Sequence, residues 1–183
     1  DSIKQAFIFN KNINLYLIFN KKTFKNLIPS LKKKVIFKDI NKIKLKRNHV
    51  NFKKNNLLDK NWYQGFWRYT SERFFYLQNI VESENLENII HVENDLMIYF
   101  YLKSKINIFK NNYNIGLLLD SNIKAIPSFL YFKNKDYLNK LIYFFENQNS
   151  FTKKLFFSII GRIYSKLFRK SFFSNNDMNV LFN

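Results

Sequence analysis

The chain has 183 residues, a length that suits one domain rather than two. It has no cysteine, which excludes disulfide scaffolds, thiolate zinc sites and cysteine nucleophiles, and its two histidines, His49 and His91, are too few for a polyhistidine metal site. A hydrophobic content of 46% excludes a disordered chain despite a formal net charge of +18, and no apolar run reaches the roughly 18 residues of a membrane span.

Residues 1–10 read as a short helix with Ile3, Ala6 and Phe7 on its apolar side, and no signal peptide is visible there. Residues 13–19 form an apolar, β-rich run expected as a buried strand. Residues 24–31 read as a short helix or turn interrupted at Pro29, and 35–37 as a second short strand. Residues 38–60 are basic, weakly periodic and expected to be irregular. From 69 to 85 the apolar positions Phe74, Phe75, Leu77, Ile80 and Val81 fall at helical spacing, with Thr70 or Ser71 placed as a cap. Residues 89–92 read as a short buried strand that runs into Glu93-Asn94-Asp95, after which an apolar segment resumes at Leu96 as a further strand. Residues 115–119 and 125–132 read as two more strands, separated by the polar turn Asp120-Ser121-Asn122. Residues 137–145 are helical, 151–173 form a long basic amphipathic helix, and 175–183 open a further element. Strands alternating with helices predict an α/β domain around a central, mostly parallel sheet that holds both 13–19 and 89–92.

The abundance of Lys, Asn, Ile and Phe, with only 3 Gly and 2 Pro, is the bias of AT-rich coding, so the net charge carries little functional information. Its distribution carries more. Residues 1–60 hold 16 Lys/Arg against 3 Asp/Glu, whereas residues 71–100 hold six acids opposed only by Arg73. The basic runs 32–34, 42–47 and 53–54, interleaved with Phe37 and Phe52, raise nucleic-acid binding as a class, although no recognition module fits them. The helix 151–173 has the composition of an interfacial membrane helix, and equally that of a helix packed on a sheet with its lysines reaching solvent.

Within the acidic island, Glu93 and Asp95 stand two apart directly after an apolar strand. In open α/β sheets ligands bind just outside the carboxyl ends of strands, and a carboxylate pair there can hold a hard divalent ion while leaving positions for phosphate oxygens. The other reading is a solvated polar turn. If the chain stays extended, both carboxylates project to one side and Asn94 points back into the fold. His91, between Ile90 and Val92, reads as a packed core histidine; His49 is assigned no role. Trp62, Tyr63, Phe66, Trp67 and Tyr69 form an aromatic cluster that reads as packing against a helix start, or as a stacking platform for sugars or bases.

Apolar strand, acid-x-acid, apolar segment resembles the DxD-type motif of GT-A glycosyltransferases in an E-x-D form. The segment Arg68-Tyr69-Thr70-Ser71-Glu72-Arg73-Phe74-Phe75-Tyr76-Leu77 is similar to the helix that precedes that motif, residues 115–119 and 125–131 to the later segments near the donor sugar, and Asn176-Asp177-Met178 to a late acidic motif. Residues 2–6 and 14–19 resemble the helix and second strand of the nucleotide-binding half, and the family's first strand would then lie ahead of Asp1. The resemblance implies a GT-A-like α/β sandwich and sugar transfer from a nucleotide-sugar donor to a glycan, lipid-linked or protein acceptor. It also implies Mn²⁺ or Mg²⁺ on Asp95 and Glu93; Arg73, Glu93, Asn94, Asp95 and Ser128 around the donor; and Asp177 at the donor sugar or acceptor hydroxyl. The expected setting is the cytoplasm, with residues 151–173 offering a contact to the cytoplasmic face of a membrane; nucleic acid is the less favoured partner.

Overall fold

Residues 129–132, Phe-Leu-Tyr-Phe, are all buried, and the layers of the protein meet on them. The computed structural model describes residues 2–22, 35–55, 62–121 and 124–148. Their order is α1 (Ser2–Phe9), β1 (Leu15–Phe19), β2 (Val35–Asp39), α2 (Arg47–Asn55), α3 (Phe66–Ser83), β3 (Ile89–Val92), α4 (Leu102–Asn112), β4 (Ile115–Ser121), β5 (Lys124–Phe132) and α5 (Lys135–Gln148). The protein is mixed α/β. The expected helices at 24–31 and 151–173 and the element at 175–183 lie outside the described residues, as does Asp177.

The expected single, mostly parallel sheet is not what forms. β1 and β2 pair in parallel, from Leu15 opposite Val35 to Phe19 opposite Asp39. β3, β5 and β4, in that order, make a separate antiparallel sheet, with Ile89 and Ile115 flanking Phe132 on its two sides. Connection length explains the difference. Two residues between β4 and β5 can only fold the chain back as a hairpin, whereas parallel neighbours need a crossover of a dozen or more. The run 13–19 and the run 89–92 therefore sit in different sheets. They still share a core: Ile18 packs on the same cluster as Ile89, and Leu15 on the same cluster as Ile90 and Val92.

β5 is covered on both faces, which is why it reads as a continuous apolar run rather than an alternating one. Leu130 and Phe132 join Phe74 and Phe75 of α3 and Leu138, Ile142 and Phe145 of α5 in one cluster. On the other face, the Phe109 ring of α4 lies 5.1 Å from Tyr131 and 6.3 Å from Phe129. Gly116 makes that approach possible, since a Cβ there would stand 3.2 Å from the Phe109 ring and 3.3 Å from the Tyr131 Cβ.

α3 starts earlier than its apolar periodicity indicates. Gly65, in the left-handed region at φ 87°, turns the chain into the helix at Phe66, and Ser71 is buried within it rather than capping it. Its end is a left-handed cap: Asn85 takes φ 49°, and the Leu86 N–H donates to the Val81 carbonyl at 2.9 Å. Residues 38–55, expected to be irregular, contain a 3₁₀ turn (Ile40–Lys42) and α2. That helix buries only His49 and Phe52, a stripe too thin to show as periodicity. Conversely, the strand expected from Leu96 is absent; residues 96–101 are irregular and lead into α4.

One polar clasp joins distant elements. Asn10, buried at the end of α1, accepts the Leu102 N–H at 2.7 Å and donates to the Phe100 carbonyl at 3.1 Å. Its amide thereby caps the start of α4 and ties it to α1.

Candidate functional site

β3 ends at Val92, and the chain does not stay extended through the acid pair. The Leu96 N–H donates to the Glu93 carbonyl at 3.2 Å, closing a turn with Asn94 and Asp95 at its corners, both exposed. Asn94 accordingly does not point into the fold. The start of the turn is pinned to the neighbouring strand, because the Glu93 N–H donates to the Ser128 carbonyl at 2.9 Å. From α3, the Arg73 guanidinium forms an ion pair with the Glu93 carboxylate, both side chains being largely enclosed. Arg73, Glu93, Asn94, Asp95 and Ser128 are thus brought together at the carboxyl end of β3. Asp95 has no ion-pair partner among the described residues.

Behind this turn the electrostatics are set by Arg73 and by apolar packing. The His91 ring meets Phe74 edge-on at 5.4 Å, and its Nε2 is enclosed without a hydrogen-bond partner. Burial, with the Arg73 charge adding to it, pushes the imidazole down to about 3, so it is neutral near pH 7. His91 is half-buried and packs on Phe74, in line with the packed histidine that its strand context indicates.

A second constellation was not legible from sequence. The Glu72 carboxylate, buried on α3, accepts from His49 Nε2 at 2.9 Å, from Lys53 Nζ at 3.0 Å and from the Tyr76 hydroxyl at 3.2 Å. Burial alone would raise the Glu72 carboxyl; the His49 and Lys53 contacts outweigh it and hold the group at about 2. Burial and the Glu72 charge push the Tyr76 phenol up to about 12, so it remains a donor. The available signal was Glu72 itself: it shares the buried helix stripe with Phe75 and Asn79, and an acid there demands a cationic or hydrogen-bonding partner.

The acidic island is explained in the same way. Besides Glu72, Glu82 pairs with Lys46 and Glu84 with Lys38, so three acids of α3 and its cap receive cations from residues 38–53. These pairs join part of the basic first third to part of the acidic middle; Glu87 and Asp95 take no part in them. The aromatic residues interleaved with the basic runs are packing elements: Phe52 stacks on Phe75 at 4.5 Å, and Phe37 meets Phe19 edge-on at 5.7 Å. Tyr63, Phe66 and Tyr69, read as packing at the helix start or as a stacking platform, are exposed there.

Among the described residues no three His, Asp or Glu side chains gather into a metal cage. A hard ion shared with a diphosphate needs only one or two protein carboxylates; of the expected pair, Glu93 is engaged by Arg73 and Asp95 is exposed. No helix of the described residues is long and apolar enough to cross a membrane. Compared with protein families, with curated proteins and with solved structures, the chain finds no match.

Proposed function

We propose that the chain is a metal-dependent glycosyltransferase of GT-A type, moving a sugar from a nucleotide-sugar donor to a hydroxyl of a glycan, lipid-linked or protein acceptor. The observation that carries the reading is the turn after β3, where Glu93 is held by Arg73 and by the Ser128 carbonyl while Asp95 stays exposed. Such a division of labour would suit metal–diphosphate binding: Glu93 is fixed and charge-compensated, and Asp95 remains open to a hard divalent ion that also takes phosphate oxygens. Asp95 would hold Mn²⁺ or Mg²⁺ together with the donor diphosphate. The ion, when bound, supplies Lewis-acid neutralisation of the leaving nucleotide. Arg73 keeps the turn in register through its ion pair with Glu93, and would offer its charge to the diphosphate only by sharing it with that carboxylate. Asp177 is assigned to the donor sugar or the acceptor hydroxyl.

Calorimetric titration of nucleoside diphosphates, with and without Mn²⁺, tests this. Wild-type protein should bind more tightly with Mn²⁺, and Asp95→Asn should lose the metal-dependent part. Identical binding by both proteins in both conditions would leave the pair a solvated turn and remove the chemistry from the reading.

A further inference from the structure

Residues 37–47 and the end of α3 border a cleft of about 870 Å³. Its floor is apolar: Ile80 is buried, and Phe37, Ile43 and Leu45 are half-buried. Its rim is cationic. The chain is extended at Ile43, and the positions alternate there, with Lys42 and Lys44 exposed while Ile43 and Leu45 turn inward. Arg47, the first residue of α2, is exposed on the same cleft.

The fold sorts the cations of this cleft into two groups. Lys38 and Lys46 are half-buried and pair with Glu84 and Glu82. Lys42, Lys44 and Arg47 make no ion pair among the described residues. Two acids line the cleft, and both are occupied. Glu82 holds Lys46, and Asp39 accepts from the backbone N–H groups of Lys21 and Asn41 and from the Asn41 amide. Lys42 feels the Asp39 charge without pairing to it. Burial, and then the Lys135 charge at the start of α5, push the Lys46 ammonium below its ordinary value although Glu82 faces it. The site therefore stays positive after its ion pairs are made.

An occupant has to bring several negative charges to the rim and an apolar body to the floor. A nucleic-acid strand carries both on every unit, a phosphate and a base with an apolar face, and in a single strand the base is free to leave its neighbours. We infer that this cleft binds single-stranded nucleic acid, with Lys42, Lys44 and Arg47 on phosphates and a base on the floor of Phe37, Ile43 and Leu45. The binding is separate from sugar transfer, since no residue of the turn after β3 lines the cleft.

The test is fluorescence anisotropy of a labelled oligouridine strand of about 12 nucleotides, titrated with the full chain. Three phosphate contacts on a single strand give a salt slope of about −2, so affinity should fall about twentyfold between 50 and 200 mM salt. Lys42→Gln, Lys44→Gln and Arg47→Gln combined should remove most of that slope while the protein melts as wild type does. Changing Lys103, Lys105 and Lys110 to Gln takes the same charge from α4, outside the cleft, and should leave the slope unchanged. Asp95→Asn should bind the strand as wild type does, so a failure here and a failure of the metal-dependent nucleotide site are told apart. No binding by wild-type protein at 50 mM salt, or equal loss in the two triple variants, would overturn the proposal. Displacement of the strand by polyglutamate of equal charge, as effective as by unlabelled strand, would overturn it in favour of an acidic protein partner.

Discussion

Glu72 and Asp95 belong to one acidic stretch, yet the fold treats them in opposite ways. Glu72 is buried among His49, Lys53 and Tyr76 and spends its charge holding α2 against α3. Asp95 stands exposed at the corner of a turn and makes no ion pair among the described residues. A charge that is enclosed and matched serves the architecture, because leaving it unpaired there costs several kcal/mol. A charge displayed at a strand end without a partner contributes nothing to the fold, and that leaves it available to a ligand. Glu93 stands between the two cases, paired with Arg73 but beside Asp95.

The largest effect on stability should come from the buried end. Glu72→Ala leaves His49 and Lys53 facing a void where a carboxylate was, and should destabilise the protein by about 3–5 kcal/mol in urea unfolding. The same group gives a pH signature. Its folded value of about 2 lies below the ordinary 4.5, so its contribution, roughly 3 kcal/mol, is present above pH 4.5 and fades as pH falls toward 2. Glu72→Gln should flatten that part of the acid-unfolding curve; an unchanged curve would show that Glu72 is not the group responsible.

Asn10→Leu comes next. It strips the first N–H of α4 and the Phe100 carbonyl of their partner in a buried place, at a cost of about 2 kcal/mol. Hydrogen exchange should report the loss at α1 and α4 together. Gly116→Ala should cost about 1 kcal/mol, since the new methyl must displace the Phe109 ring by a few tenths of an ångström. Lys38→Gln, which removes a partly exposed pair with Glu84, should change stability by less than about 1 kcal/mol, and less still at high salt.

The apolar runs made much of this legible. The runs 13–19, 89–92 and 125–132 contain the strands β1, β3 and β5, though β1 and β3 are half-buried rather than buried, and 69–85 and 137–145 fall in helices because their apolar residues share one face. The lack of alternation in 13–19 and 89–92 indicated strands covered on both faces; those two are only half-buried, and the strand covered on both faces is β5. Apolar runs do not carry strand direction: that was written in the shortness of the link at 122–123, which admits only a hairpin. α2 escaped notice because two buried residues in nine make no pattern. Arg73, Glu93 and Ser128 were picked out by motif, but the turn that separates Glu93 from Asp95 depends on a backbone bond to Leu96 that residue types do not announce. The His49–Glu72 pair spans 23 positions, and only the fold joins its halves.

The most direct measurement crosses the two carboxylates. Asp95→Asn and Glu72→Gln are each assayed for thermal melting and, well below the melting transition, for Mn²⁺-dependent binding of nucleoside diphosphate. Asp95→Asn should melt with wild-type protein and lose the metal-dependent binding, whereas Glu72→Gln should melt earlier and keep it. If Asp95→Asn binds as wild type, or loses stability to the same extent as Glu72→Gln, the division between a structural and a displayed carboxylate is contradicted.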